Sequence, residues 1–280
     1  TALVTDSTCN LHSELVAEKR IHVAPLYIVW GEHSYKEGVD ITEPELYRRL
    51  ATSPDIPTTS QASVQDFVDL FERVRQAENA DEIVCGVISG SLSGTYASAI
   101  QAKELVDFPV HVVDTRQVSW ALGFCMLDAA AARDAGASPV EIVECLQKSA
   151  ERSLLLFTIE SLDFLHRGGR IGNATRLLGT ALSIKPLLEL RNGIIEPVDK
   201  VRTRKRAVNH MIKVIQDRTN GRAIKRLAII HGDVEPDART LLDQARDSLT
   251  PGEAYVSYVS AVLAVHTGPG ALGIVVQWGD

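Results

Sequence analysis

Aromatic residues are scarce in this chain of 280 residues: Phe, Trp and Tyr make up 5% of it, although hydrophobic residues reach 45%. The apolar side chains are therefore mostly aliphatic or alanine, a composition that suits α/β packing. The net charge of −7 argues against a general affinity for nucleic acid or anionic membranes. The length is sufficient for a substantial core and predicts two domains.

Cysteine is also sparse, and none of the four residues belongs to a C-x-x-C pair. This spacing predicts reduced thiols rather than a disulfide framework. The first residues lack the pattern of a signal peptide. No uncharged apolar run approaches the roughly 20 residues that a membrane span needs. We therefore expect a cytoplasmic location, with at most transient membrane contact.

The motifs of several enzyme classes are missing. The sequence contains no H-E-x-x-H, no set of His and Cys at metal-binding spacing, no G-x-S-x-G elbow and no Walker loop. "GPGALG" at 268–273 has the glycines of a dinucleotide fingerprint, but too little chain follows it for a nucleotide-binding unit. We therefore expect a binding protein with no catalytic residues, no metal and no cofactor.

Short apolar runs alternate with amphipathic stretches along the chain, which predicts an α/β fold with mostly parallel sheets flanked by helices. The pattern of apolar and amphipathic stretches changes near residue 150, which predicts a division of the chain into domains 1–150 and 151–280. Residues 22–30 are predicted to form one strand, and strands are predicted on both sides of the Gly-Pro-Gly turn at 268–270. Thr42 and Glu45 have the spacing of a capping box.

Two hydroxyl-rich stretches precede predicted helices. In "SGSLSGTYASA" (89–99), Ser93 is placed to cap a helix that starts near Gly94 and Thr95, where free backbone N–H groups and hydroxyls could bind a carboxylate or phosphate. In "IPTTSQAS" (56–63), four hydroxyls precede the next helix. Each stretch is also compatible with an ordinary capped loop.

Two further stretches carry histidine or positive charge. "VHTGPGALG" (265–273) places His266, which can donate a charge-assisted hydrogen bond to a carboxylate, at a predicted strand end. The basic residues of "HRGGRIG" (166–172) and "KVRTRKRA" (200–207) form the second candidate, suited to a phosphorylated product or an acidic partner surface. A structural histidine and a solvated helix start are the alternatives.

These motifs, together with "VTDSTCNL", "FLHRGGRIG" and "KPLLELRNGIIEPVDKVRTRKRA", occur in the order seen in the DegV family, and the chain resembles that family over its whole length. The resemblance implies a two-domain α/β protein that holds a long-chain fatty acid, such as palmitate, stearate or oleate. It implies a carboxylate between the domains and an acyl chain in an apolar tunnel. A separate ATP-binding fatty acid kinase subunit would phosphorylate the presented carboxylate for phospholipid synthesis.

The resemblance also implies roles for individual residues. Thr59, Ser93, the backbone N–H of Gly94 and His266 would bind the carboxylate, with Ser60, Ser91 and Thr95 as secondary candidates. Arg170 and Arg202 match positions implicated in phosphoryl transfer or kinase docking. Ala62 stands where the family commonly has Pro, and Gly90 where a second Ser is usual.

Two points stay open at this level. The apolar stretches 119–132 and 175–190 are candidate tunnel walls, although ordinary core packing gives the same pattern. A small-carbonyl-binding subunit related to dihydroxyacetone kinases is the alternative function, in which His266 or His231 would be catalytic.

Overall fold

The computed structural model describes residues 1–179 and 184–279, and the chain divides into two compact units. Unit 1 consists of Thr1–Ile41 and Thr59–Glu151. Unit 2 consists of Thr42–Thr58 and the chain from Arg152 onward. The segment Thr42–Thr58 thus interrupts the predicted domain 1–150 and packs with residues that follow it by more than a hundred positions.

Unit 1 combines helices and strands, as the alternation of apolar and amphipathic stretches predicts. In unit 1 they are β1 (Ala2–Asp6), α1 (Ser13–Glu18), β2 (Ile21–Ala24), β3 (Tyr27–Trp30), β4 (His33–Lys36), β5 (Thr58–Ser60), α3 (Val64–Glu78), β6 (Ile83–Val87), α4 (Thr95–Lys103), β7 (Val110–Asp114), α5 (Trp120–Asp134) and α6 (Pro139–Glu151), with α2 (Glu43–Leu50) in the segment assigned to unit 2.

The main sheet of unit 1 has the strand order β2-β1-β6-β7, and each neighbouring pair is parallel. Every residue of β1 and β6 is buried, as expected for central strands covered on both faces. The carboxyl ends of parallel strands meet at one edge of a sheet, which is where such folds bind ligands. A smaller sheet has the order β4-β3-β5.

The predicted strand 22–30 is wrong in one respect: it is two strands, β2 and β3, separated by Pro25 and Leu26. Proline has no backbone N–H and cannot donate to a strand ladder, so the run breaks there. The predicted helix that follows the second hydroxyl-rich stretch is confirmed as α3, which buries Phe67 and Phe71 on its apolar face.

Unit 2 contains β8 (Ser153–Thr158), α7 (Asp163–Arg167), a 3-10 helix at Gly172–Leu177, β9 (Lys185–Arg191), β10 (Ile194–Val201), α8 (Arg204–Thr219), β11 (Ile224–His231), α9 (Glu235–Leu249), β12 (Glu253–Tyr258), α10 (Ala261–Thr267) and β13 (Leu272–Trp278). Its sheet has the order β10-β9-β8-β13-β11-β12.

The α/β class is confirmed, but the sheet of unit 2 is not mostly parallel. Among the described strands of this sheet, only β11 and β12 pair in parallel, and the other neighbours are antiparallel. For β9 and β10 the connection gives the reason, since Asn192 and Gly193 both have positive φ. A two-residue turn of this kind joins antiparallel strands and leaves no room for a crossover.

The strand predicted before the Gly-Pro-Gly turn is a helix, α10. Its buried residues include Ala261, Ala264 and Val265, which recur at helical spacing. A short apolar run does not distinguish a strand from a buried helix, which explains the error. His266 therefore lies in the last turn of a helix and not at a strand end.

Both candidate tunnel walls stay predictions. In α5, Trp120, Phe124 and Met126 are fully buried within unit 1, as either a wall or a core requires. Of the stretch 175–190, residues 180–183 lie outside the described part of the chain.

Candidate functional site

The loop after β6 gathers three serines at the carboxyl edge of the parallel sheet of unit 1. Ser93 is half-buried, and its Oγ lies 2.8 Å from the hydroxyl oxygen of Thr95 and accepts the Thr95 N–H at 3.3 Å. The residue at the N-cap of α4 is Gly94, which has no side-chain cap. The predicted cap, Ser93, thus stands one position before the observed N-cap, and Ser91 is exposed.

The second hydroxyl-rich stretch reaches the same place through Gln61. A β-carbon on Gly94 would lie 2.9 Å from Gln61 Nε2 and 3.1 Å from its Cδ. The side chain of Gln61 therefore occupies the space that any larger residue at position 94 would need. This contact brings the segment containing Thr59 and Ser60, in β5, next to the start of α4. The structure therefore brings the two predicted loops together within unit 1.

A buried carboxylate holds the serine loop in place. Asp6, at the end of β1, accepts the Ile88 N–H at 2.7 Å through one oxygen and the Thr8 N–H at 2.9 Å through the other. Burial raises the pKa of Asp6, while these hydrogen bonds act in the opposite direction. Asp6 was not singled out from the sequence, although an acidic residue at the end of a mostly apolar strand is a usable signal.

A second carboxylate explains the departure at Gly90. The Gly90 N–H donates to Asp114 at 3.2 Å, and a β-carbon on Gly90 would lie 3.1 Å from the other Asp114 oxygen. A serine here would need Asp114 to move by a few tenths of an ångström. Asp114 also accepts the Arg116 N–H at 2.9 Å, which fixes its position.

In unit 2, His266 and the "HRGGRIG" motif lie together. Nδ1 of His266 would be 2.1 Å from a β-carbon on Gly168, so the ring packs directly on the glycine backbone. Arg170 donates to the Gly168 carbonyl oxygen at 2.6 Å. After α10, Gly268 has a φ of +71°, and its Cα packs against the ring of Phe164. Two motifs separated by about a hundred residues thus form one cluster.

Burial and the nearby Arg170 charge lower the pKa of His266 to about 4. The imidazole is therefore neutral at neutral pH. The charge-assisted bond expected from the sequence would require a ligand whose negative charge raises this pKa. A carboxylate beside the ring would do so.

The basic cluster at 200–207 contains two kinds of residue. Arg204 is half-buried and donates to Glu160 and to the Gly270 carbonyl oxygen, both at 2.6 Å, and it also pairs with Asp237. Arg202 is exposed and forms no side-chain hydrogen bond or ion pair with the described residues. Arg204 is therefore part of the fold of unit 2, whereas Arg202 is available to a partner.

His231, the other histidine considered from the sequence, is 2% exposed at the end of β11. Its ring lies 4.4 Å from that of Tyr258, and burial lowers its pKa. It packs in an aromatic cluster with Tyr47 of α2, whose ring is 6.1 Å from Tyr258. His231 thus belongs to the packing that holds the segment Thr42–Thr58 on unit 2.

Comparison with known proteins extends these local observations to the whole chain. The family model described as "Uncharacterised protein, DegV family" matches residues 1–278. The chain belongs to the DegV family. Within it, the chain is similar to the DegV domain-containing protein SCO2569 of Streptomyces coelicolor, with 39% identity over 99% of this chain and 98% of that protein.

Two solved structures share the fold of this DegV family member. A DegV family protein from Thermus thermophilus, described for its fatty acid binding, superposes with a TM-score of 0.91 at 33% identity over 99% of both chains. A stearic acid-binding protein from Eubacterium ventriosum superposes with a TM-score of 0.88 at 27% identity, over 98% of this chain and 97% of the other.

The described residues contain no group of three or more His, Cys, Asp or Glu side chains arranged to hold a metal ion. No helix in residues 1–179 and 184–279 combines the length and apolar character needed to cross a bilayer.

Proposed function

We propose that this DegV family protein binds a long-chain fatty acid and presents its carboxylate to a separate ATP-dependent fatty acid kinase subunit. The observation that carries the proposal is the convergence of the two hydroxyl-rich loops on the start of α4, where Gln61 packs on Gly94. Fatty acid binding by the related Thermus thermophilus protein supports the same ligand class.

The head-group part of the proposal uses neutral donors. Ser93 and Thr95 supply hydroxyls, Gly94 supplies a backbone N–H, and Thr59 supplies a further hydroxyl from β5. Such groups stabilise a carboxylate by hydrogen bonds and the helix dipole, without a buried salt bridge. They also leave an oxygen open to reaction. His266, on unit 2, is the fourth residue of the proposed set.

The acyl chain provides most of the driving force. A sixteen-carbon acid has about 14 methylenes, each worth about 0.8 kcal/mol when buried, so the gross gain is about 11 kcal/mol. Immobilising the chain removes part of this gain. The head-group residues therefore mainly set orientation and select a carboxylate over other polar groups.

The kinase part of the proposal concerns what happens to that carboxylate. One oxygen would attack the γ-phosphorus of ATP held by the kinase subunit, ADP would leave, and an acyl phosphate would form. Arg202 is exposed and suited to dock an acidic partner surface. Arg170 lies beside His266 and is suited to contact the transferred phosphate.

Native mass spectrometry of the purified protein, before and after delipidation and reloading with palmitate, tests the binding step. We expect one fatty acid per chain, and about tenfold weaker palmitate binding for Ser93→Ala and Thr59→Val, since each loses a hydrogen bond to a charged group. Ser138→Ala is the matched control, because the Ser138 hydroxyl bonds to Glu141 at the start of α6, outside the proposed site.

A delipidated protein that takes up neither palmitate, stearate nor oleate would overturn the proposal. Uptake of dihydroxyacetone by the same sample would then favour the small-carbonyl alternative.

The kinase step needs a second assay, in which protein loaded with palmitate is mixed with the fatty acid kinase subunit and ATP, and acyl phosphate is trapped with hydroxylamine. We expect Arg202→Ala to retain palmitate but to lose most hydroxamate formation. Hydroxamate formed equally by Arg202→Ala and the unsubstituted protein would remove Arg202 from the docking surface.

A further inference from the structure

Gln61 occupies a special position that its place in the sequence does not reveal. It is an exposed residue directly after β5, yet its carboxamide lies against the Cα of Gly94. The nitrogen Nε2 is the nearest of its atoms to the β-carbon position on Gly94, at 2.9 Å, and Oε1 is farther away, at 3.5 Å. The amide N–H₂ group therefore faces the start of α4.

The surroundings of this amide are those of an anion-binding group. Gly94 has no side-chain cap, so the first turn of α4 has backbone N–H groups without an intrahelical acceptor. The Ser93 and Thr95 hydroxyls lie 2.8 Å apart beside the same glycine. The Gln61 side chain itself has no hydrogen-bond partner among the described residues, so both of its N–H donors are available.

We propose that Gln61 is a specificity-determining residue, whose side-chain N–H₂ donates a hydrogen bond to the fatty acid carboxylate beside Gly94. This inference rests on the proposed function and adds a residue to it. A neutral amide in this place favours a carboxylate, whereas a negative side chain would repel it. Position 94 is then glycine for two reasons, because the amide and the ligand both need to approach the backbone.

Three variants separate this role from that of a simple spacer. Gln61→Glu keeps the shape but replaces the N–H₂ group by an oxygen with negative charge. Gln61→Met keeps the length but has no donor. Gln61→Asn keeps the amide but withdraws it by one methylene. Each is compared with the unsubstituted protein for binding of palmitate and of hexadecanol, which has the same chain and no charge.

We expect Gln61→Glu to weaken palmitate binding by more than tenfold and Gln61→Met by about tenfold, as the loss of a hydrogen bond to a charged group predicts. Hexadecanol binding should change by less than about threefold, because a neutral head group gains little from the amide. The carboxyl resonance of palmitate labelled with carbon-13 at C1 should also shift in Gln61→Met.

The outcomes separate the two proposals. If the unsubstituted protein binds no palmitate, the proposed function fails. If it binds palmitate, and Gln61→Glu binds palmitate equally well, only the role of Gln61 is wrong. If the Gln61 variants lose palmitate and hexadecanol binding equally, and the carboxyl resonance is unshifted, then Gln61 acts only as a spacer. If Gln61→Glu does not fold, Gln61→Met and Gln61→Asn decide the same question.

Discussion

The Nδ1 atom of His266 lies 2.1 Å from the position that a β-carbon on Gly168 would occupy. No side chain fits between the two, so the ring is positioned by contact with the backbone of the "HRGG" motif. The Arg170 guanidinium is held by the carbonyl oxygen of the same glycine. One glycine thus sets the place of both a candidate ligand-binding histidine and a candidate phosphate-binding arginine.

Gly168→Ala should therefore displace the imidazole and destabilise unit 2 by about 1–3 kcal/mol, the usual cost of overpacking. Urea denaturation of Gly168→Ala, His266→Ala and the double variant measures this effect. If the ring is what the new methyl group meets, the double variant should be less destabilised than the sum of the two single variants. If the two losses of stability are additive, the new methyl group clashes with a group other than the His266 ring.

The low pKa of His266 predicts a pH dependence of stability. Its pKa falls from about 6.5 in the unfolded chain to about 4 in the folded protein, so between these values the unfolded state binds more protons. Stability from this group is complete above about pH 6.5 and is lost as the pH falls towards 4. Each pKa unit corresponds to about 1.4 kcal/mol, so the loss amounts to a few kcal/mol.

His266→Gln, which stays neutral throughout, serves as the reference for that measurement. The difference in unfolding free energy between it and the unsubstituted protein should narrow, or change sign in favour of Gln, from pH 7 to pH 4. Parallel profiles would show that the pKa of His266 is the same in the folded and unfolded states.

Substitutions in the basic cluster at 200–207 should have different effects on stability, because Arg204 is bonded within the fold and Arg202 is exposed. Arg204→Ala removes the side-chain donor to the Gly270 carbonyl oxygen and one of the two cationic partners of Glu160, the other being Lys185. It should cost about 1–3 kcal/mol of stability. Arg202→Ala removes an exposed side chain and should stay within about 0.5 kcal/mol. Thermal unfolding of both variants measures this difference in stability. Equal destabilisation by the two substitutions would refute the prediction.

Two helix starts give a further contrast. Ser63 and Asp66 form a full capping box at α3, with each side chain bonded to the backbone N–H of the other. Thr42 makes no such bond at α2, because Glu45 pairs with Arg49 instead. Ser63→Ala should therefore cost about 1 kcal/mol, and Thr42→Ala much less. Urea titrations of both variants measure their unfolding free energies. A larger loss of stability in Thr42→Ala than in Ser63→Ala would contradict the prediction.

The sequence allowed the α/β class and most elements to be predicted, because long amphipathic stretches such as 64–77 and buried runs such as 83–87 have an unambiguous period. It failed where tertiary context decides. Helix α10 has a short apolar run that fits either structure. The direction of β9 and β10 depends on the φ angles of two turn residues, Asn192 and Gly193.

The candidate site was predictable as motifs but not as an arrangement. The hydroxyls of Thr59 and Ser93 are marked by their residue types next to predicted helices, and the imidazole of His266 by its place beside a glycine-rich turn. The contact of Gln61 with Gly94 and the role of Asp6 under the serine loop depend on distances between segments far apart in the chain. Residue type alone gives no signal for such pairs, and Arg204 shows the converse, since its charge is used within the fold.

The segment 42–58 lies between two strands of the small sheet of unit 1, yet it buries Leu46 and Tyr47 within unit 2. The polypeptide therefore passes from one unit to the other three times, after residues 41, 58 and 151. No single cut yields two independent halves. A fragment ending at residue 151 would carry an amphipathic helix without the surface that covers its apolar face. A fragment starting at residue 152 would lack the helix that packs on Tyr258. Co-expression of the two fragments, rather than either alone, is the arrangement in which both should fold.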